Sequence, residues 1–155
     1  MARDVIVFDV DGTLIDTDPI AHLWGDWDAF HAASFDCPER VGMVDLARRW
    51  QGLGRSVIVT GKSDRFRWKL NNWLSIRGLI PDAVLMRPDG NFQPDAELKV
   101  TLMIEEFGPT WKERVVVAID DRDKMVDAWR AEGITCLQAA PCLETKLRNE
   151  RNGKQ

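Results

Sequence analysis

Val5-Ile6-Val7-Phe8-Asp9-Val10-Asp11-Gly12-Thr13 is the stretch that decides the fold. Its first four residues are an unbroken β-branched and aromatic run, the pattern of a strand buried on both faces. The run ends abruptly at two aspartates one residue apart, followed by a glycine that permits a tight turn. The same grammar recurs at 56–60 (SVIVT) and 114–119 (RVVVAI), and weaker strands are expected at 83–86 and 134–137.

Between these runs apolar residues recur at helical spacing. Met43, Leu46, Ala47 and Trp50 share a face that Gly52 and Gly54 close, and Phe66, Leu70, Trp73 and Leu74 share another that Gly78 closes. Val100, Met103, Ile104 and Phe107 predict a third helix, ended by Gly108-Pro109, and Met125, Val126 and Trp129 a fourth, ended by Gly133. Alternating apolar strands and helices predict an α/β fold: a doubly wound, Rossmann-like, mostly parallel sheet of about five strands with helices on both faces. Ligands of such sheets bind beyond the carboxyl ends of the strands. The polar residues that follow strands one, two and four are therefore expected to converge.

The chain of 155 residues is expected to be one domain over 1–143, with a small insert at 16–40 and a polar tail at 144–155 expected to fray. The insert is rich in aspartate and aromatics and has a poor helical period, which fits an elaborated loop or short helix. Apolar residues at 45% and charged residues at 30% exclude wholesale disorder. A net charge of 21 − 25 = −4 excludes a generally cationic surface, so any nucleic-acid contact needs a local basic patch. No apolar run is long enough to span a bilayer and no secretory hydrophobic region opens the sequence, so a soluble, cytoplasmic protein without a membrane partner is expected. Three scattered cysteines and two histidines argue against a disulfide framework or structural zinc, and nothing points to an obligate protein partner.

Asp9 and Asp11 at the mouth of a buried strand repel each other unless a cation neutralises them or one holds a proton. A hard oxygen-seeking ion such as Mg²⁺ suits the pair, and a solvated turn with capping aspartates is the ordinary alternative. Asp120 and Asp121 end the third strong strand on the same predicted edge. Part of their role is expected to be capping of a helix near Arg122. Four carboxylates at one edge without a cation are costly, which favours metal binding. Thr60 precedes Gly61-Lys62-Ser63, and a hydroxyl with free N–H groups at a helix N-terminus would form an oxyanion or phosphate cradle. The GKS string is no P-loop, because Ser56 stands inside a strand where that motif needs glycine.

The string VFDVDGTL, then IVTGKS, a lysine, and AIDDRDKMVDAW resembles the four motifs of the haloacid dehalogenase (HAD) superfamily, over roughly residues 4–138. The resemblance implies a Mg²⁺-dependent phosphomonoesterase. Asp9 would be the nucleophile that forms an aspartyl-phosphate, Asp11 the general acid/base, and Thr60 and Lys99 the holders of phosphoryl oxygens. Asp9, the Asp11 main-chain carbonyl and Asp121 or Asp120 would hold the metal. AIDDRDKMVDAWRAEGITCLQ further resembles the 3′-phosphatase domain of bacteriophage polynucleotide kinase/phosphatases, which implies that Lys62 and Arg122 help hold phosphate. Lys62 stands where that family carries arginine, so bidentate gripping is lost, and the kinase half is expected to be absent.

With only residues 14–40 and 81–94 available as insertions, an open site is expected. It suits a nucleic-acid 3′ end or a nucleotide as partner. Lys62, Arg65, Arg67, Lys69, Arg87 and Arg122 are candidate phosphate contacts, unless they form a solvated helix face. Trp24, Trp27 and Trp68 are candidates for base stacking, and Trp50, Trp73 and Trp129 for the core. Asp26 and Asp28 would repel a phosphodiester track and favour a small ester such as a 5′-nucleotide. A phosphoacceptor module of the response-regulator type is the alternative from another class, since it shares the sheet, clustered acids, a threonine and a lysine.

Overall fold

The computed structural model describes residues 3–153. Five strands, β1 (Val5–Phe8), β2 (Arg55–Ser63), β3 (Ala83–Arg87), β4 (Val115–Asp120) and β5 (Cys136–Gln138), form one sheet in the order β3-β2-β1-β4-β5. Every pairing is parallel, as the unbroken apolar runs require. β1 is central and its side chains divide the core. Val5 and Val7 face α4 (Asp95–Phe107), α5 (Trp111–Arg114) and α6 (Asp123–Ala131), while Ile6 and Phe8 face α2 (Val41–Trp50) and α3 (Arg67–Ile76). Trp111 and Trp129 meet edge to face at 6.0 Å in the first layer. The order of strand addition reverses at β1, with β2 and β3 on one side and β4 and β5 on the other, so the carboxyl ends of β1, β2 and β4 form the crevice expected of a doubly wound fold.

The structure differs from the sequence pattern in four places. α4 buries Leu98, Lys99, Leu102 and Met103, while Ile104 turns outward. Lys99 shares the stripe of Leu102 and Met103, three and four residues on, and its charge disguised that stripe. β2 continues through Thr60-Gly61-Lys62 to Ser63, and a 3-10 turn (Asp64–Phe66) precedes α3. No helix N-terminus therefore stands directly behind Thr60, and the irregular pairing between Thr60 and Ser63 takes its place. α6 begins at Asp123, with no side-chain cap from Asp120 or Asp121. The polar tail forms α7 (Leu143–Asn152), seated by buried Leu143, a Thr145–Asp123 hydrogen bond and a Lys146–Asp18 ion pair.

The insert contains a 3-10 turn (Asp18–Leu23) and α1 (Trp27–Ser34), whose Asp26 caps it by accepting from Ala29 N–H. Its two ends are clasped by Arg40, which donates to the Gly12 carbonyl and to Asp16. Among the described residues no helix is long and apolar enough to cross a membrane.

Leu98→Ala is expected to destabilise the fold by about 2–5 kcal/mol, as burial of a core leucine implies, and Ile104→Ala by less than about 1 kcal/mol. Urea denaturation of the two variants checks which face of α4 is buried.

Candidate active site

Asp9 is the first residue beyond β1, and Asp120 ends β4 beside it. Lys99 reaches both from α4. Its ammonium donates to Asp9 Oδ1 at 2.8 Å and to Asp120 Oδ2 at 2.7 Å, with all three groups buried. Thr13 Oγ1 donates to the other Asp9 oxygen at 3.2 Å. Asp120 is saturated, because its Oδ1 also accepts the N–H groups of Asp121 and Arg122 and its Oδ2 faces Trp129 Nε1.

Asp121 differs. Its Oδ1 is buried without a hydrogen-bond partner, and its carboxylate lies against Gly12. A Cβ at Gly12 would overlap Asp121 Oδ2, and the positive φ of 86° disfavours a side chain as well. The glycine of D-x-D-G thus serves both the turn and the approach of Asp121 to Asp9. Carboxylate oxygens of Asp9, Asp120 and Asp121 lie within 4.8 Å of one another. Burial and the neighbouring acids push Asp9 up to about 7 and Asp121 up to about 8. Burial opposes the Lys99 charge, yet Asp120 and Asp9 outweigh it and hold the ammonium above its ordinary range. Hard oxygen donors, an orphaned buried carboxylate oxygen and surplus negative charge fit a divalent cation.

Asp11 stands apart from this cluster. Its Oδ2 pairs with Lys62 Nζ at 3.1 Å, and its Oδ1 is buried without a partner. His31 Nε2 lies 3.9 Å from the same Oδ2, and burial lowers the imidazole to about 4, so it is neutral at pH 7. Thr60 is buried and its hydroxyl accepts the Lys62 N–H at 3.2 Å.

Asp9, Asp11, Thr60, Lys62, Lys99 and Asp121 border a cavity of about 570 Å³, ringed by Trp24, Trp27, Phe30, His31 and Phe92. Four of the six basic residues expected there, Lys62, Arg65, Arg87 and Arg122, border it, and each is already engaged. Lys62 is fully buried. Arg65 pairs with Asp28 on α1. Arg87 is a structural clamp, donating to the carbonyls of Gly61, Asn91 and Gln93 and to Asp95. Arg122 pairs with Asp95 and Glu144 and lies 5.5 Å from the Trp24 ring. Arg67 donates to the Val84 carbonyl, and neither it, Lys69 nor exposed Trp68 borders the cavity. Gly61 does border it, and a Cβ there would meet Asp95 Oδ1.

The sequence reading missed Asp95, His31, Ser34 and Phe92. Asp95 carried a signal, as an acid in the first turn of α4 one helical turn before Lys99. Phe92 carried none, because a lone exposed aromatic in a loop has no period.

A doubly wound sheet with this acid cluster is the framework of a HAD-type phosphatase. Within that class the chain belongs to the polynucleotide kinase PNKP phosphatase domain family, whose profile matches residues 3–142. No curated protein matches the chain. Among solved structures, a chain of the Pnkp1/Rnl/Hen1 complex is similar, with TM-score 0.76 and 21% identity over 91% of this chain and 47% of that one. The present chain thus spans about half the length of that neighbour. The haloacid dehalogenase-like family protein SP0104 from Streptococcus pneumoniae follows, with TM-score 0.66 and 15% identity over 88% and 84% of the two chains. At such identities the likeness is one of fold.

Carboxyl groups raised above their unfolded value of 3.8 stabilise the fold at low pH, and that contribution is lost as pH rises through the folded values. In excess chelator the melting temperature is therefore expected to fall between pH 6 and pH 9, and Asp121→Asn to flatten part of that fall. A melting temperature that rises over this interval would contradict the electrostatics of the cluster.

Proposed function

We propose that the protein is a Mg²⁺-dependent phosphomonoesterase that removes phosphate from nucleic-acid 3′ ends or nucleotides through an aspartyl-phosphate on Asp9. The observation that carries this reading is the Lys99 ammonium wedged between Asp9 and Asp120 at the floor of the cavity. Asp9 is held at both oxygens, by Lys99 and Thr13, so its orientation is fixed before substrate arrives. An Asp9 oxygen attacks phosphorus while the ester P–O bond breaks. Asp11 gives its proton to the leaving oxygen, then takes one from the water that attacks the aspartyl-phosphate, and inorganic phosphate leaves. Thr60 and Lys99 bind the phosphoryl oxygens, and Lys99 offsets part of their charge.

Asp9, the Asp11 main-chain carbonyl and Asp121 would hold Mg²⁺. Of the two adjacent acids, Asp121 retains an unpartnered oxygen, whereas Asp120 is engaged by protein donors. The bound ion supplies the positive charge that lets a carboxylate approach a phosphate dianion.

The family match and the aromatic ring of the cavity support a nucleotide or nucleic-acid end as substrate. Engagement of Arg65, Arg87 and Arg122 by carboxylates, with Asp28 and Asp89 bordering the cavity, supports recognition of the terminal nucleotide over a long phosphodiester track.

Asp9→Asn is expected to lower hydrolysis of an aryl phosphate by about a thousandfold or more while thermal unfolding stays cooperative. Excess chelator is expected to abolish wild-type turnover. Full activity in either case would overturn the proposal. In a comparison of 3′-phosphorylated oligonucleotide with 3′- and 5′-mononucleotides at matched salt, a preference of at least about tenfold for 3′-phosphates is expected, about 1.4 kcal/mol in barrier. Equal rates on all three would identify a generalist phosphatase instead.

A further inference from the structure

Lys62 borders the cavity at the position where a phosphate ligand is expected, yet its geometry serves another end. An ammonium has three N–H donors. Those of Lys62 have three acceptors within reach: Ser34 Oγ at 2.6 Å, the His31 carbonyl at 3.1 Å and Asp11 Oδ2 at 3.1 Å. The Phe35 ring centroid lies 4.3 Å from Nζ, and the residue has no exposed surface. Two of its donors are thus hydrogen-bonded to α1 and its charge is paired with Asp11.

The acceptors are themselves ordered. Ser34 Oγ donates to the His31 carbonyl at 2.9 Å, so its lone pairs are the part presented to Lys62. Of the two basic groups beside Asp11 Oδ2, Lys62 Nζ is the closer, at 3.1 Å against 3.9 Å for His31 Nε2. Asp11 is consequently gripped by one oxygen, Oδ2, while Oδ1 is buried and free of protein partners.

We propose that Lys62 and Ser34 form a buried strut that positions the Asp11 carboxyl group for proton transfer, so that helix α1 of the insert belongs to the reaction machinery and Lys62 holds no phosphate. The proposal rests on the reading of Asp11 as the general acid/base. Lys62 and Ser34 are positioning residues. Their effect falls on the proton given to the leaving oxygen, and a good leaving group does not need that proton.

Lys62→Met, Ser34→Ala and Asp11→Asn are compared in single turnover with enzyme in excess. The substrates are a nitrophenyl phosphate and a nucleoside 3′-monophosphate, and release of the alcohol is followed. Lys62→Met is expected to slow release from the alkyl ester about 30-fold and from the aryl ester less than about threefold, with half-saturation shifted less than about twofold. Ser34→Ala is expected to show the same selectivity at about fivefold. Asp11→Asn sets the reference and is expected to show the largest alkyl-to-aryl difference.

A rise in half-saturation on both esters with the maximal rate unchanged would make Lys62 a phosphate ligand and overturn the strut. Equal losses on both esters, tracking a lowered melting temperature, would reduce it to a packing role. If Lys62→Met does not fold, an unselective or wild-type Ser34→Ala overturns the proposal by itself. If Asp11→Asn lacks the leaving-group dependence, the reading of Asp11 fails and the strut falls with it, while loss of turnover in Asp9→Asn would still stand.

Discussion

The Lys99 ammonium lies between two carboxylates, almost wholly buried at the floor of the cavity, and most of the architecture answers to it. A buried charge is tolerated only when partners surround it, and removing one partner of such a group costs about 3–5 kcal/mol. Asp9 comes from β1, Asp120 from β4 and Lys99 from the helix that crosses between them in sequence. Their meeting requires β4 to pair with β1 despite more than a hundred intervening residues, and requires α4 to lie on that face of the sheet. The fold positions the triad, and the triad in turn penalises any packing that separates its members.

A second tier of charge shapes the cavity. Asp95 at the start of α4 bridges Arg87 and Arg122, and Arg87 also gathers the carbonyls of Gly61, Asn91 and Gln93. Cations that would otherwise form a diffuse positive rim are bound into fixed walls. On the proposed reading, a site built this way would recognise at short range, with one phosphate group at the floor, apolar aromatic surface above it, and little long-range attraction for a polyanion.

Much of this was legible in sequence because it is periodic or local. Val5–Phe8 and Val115–Ile119 announced buried parallel strands, and D-x-D-G with a distal acid pair announced their tips. Lys99 was named only through its place in a series of motifs. Its own helix pointed the wrong way, since Val100 and Ile104 offered an equally apolar stripe. Engagement of the arginines was not legible, for it depends on loops whose carbonyls are brought to Arg87 by tertiary structure. The tail over 144–155 read as polar and fraying; its last two residues lie outside the described ones, and in the rest three side chains seat α7, two of them through partners far away in sequence, Asp123 and Asp18. Gly12 was legible as a turn residue, but not as the gap into which Asp121 fits.

The insert differs physically from a swinging cap. Arg40 clasps its ends to Gly12 and Asp16, Lys62 ties α1 at Ser34 and the His31 carbonyl, Arg65 pairs with Asp28, and Lys146 reaches Asp18 from α7. Opening it as a rigid flap would break ties to three separate parts of the chain, among them a buried ammonium that would then lack acceptors. Such a step costs several kcal/mol. The insert is therefore a fixed wall of the site. If Asp9 is the nucleophile, as proposed, water exclusion there would come from the burial already present and from the substrate itself. An entrance that need not close over its ligand places no upper limit on the size of the group carrying the phosphate, which is the geometry a macromolecular end requires.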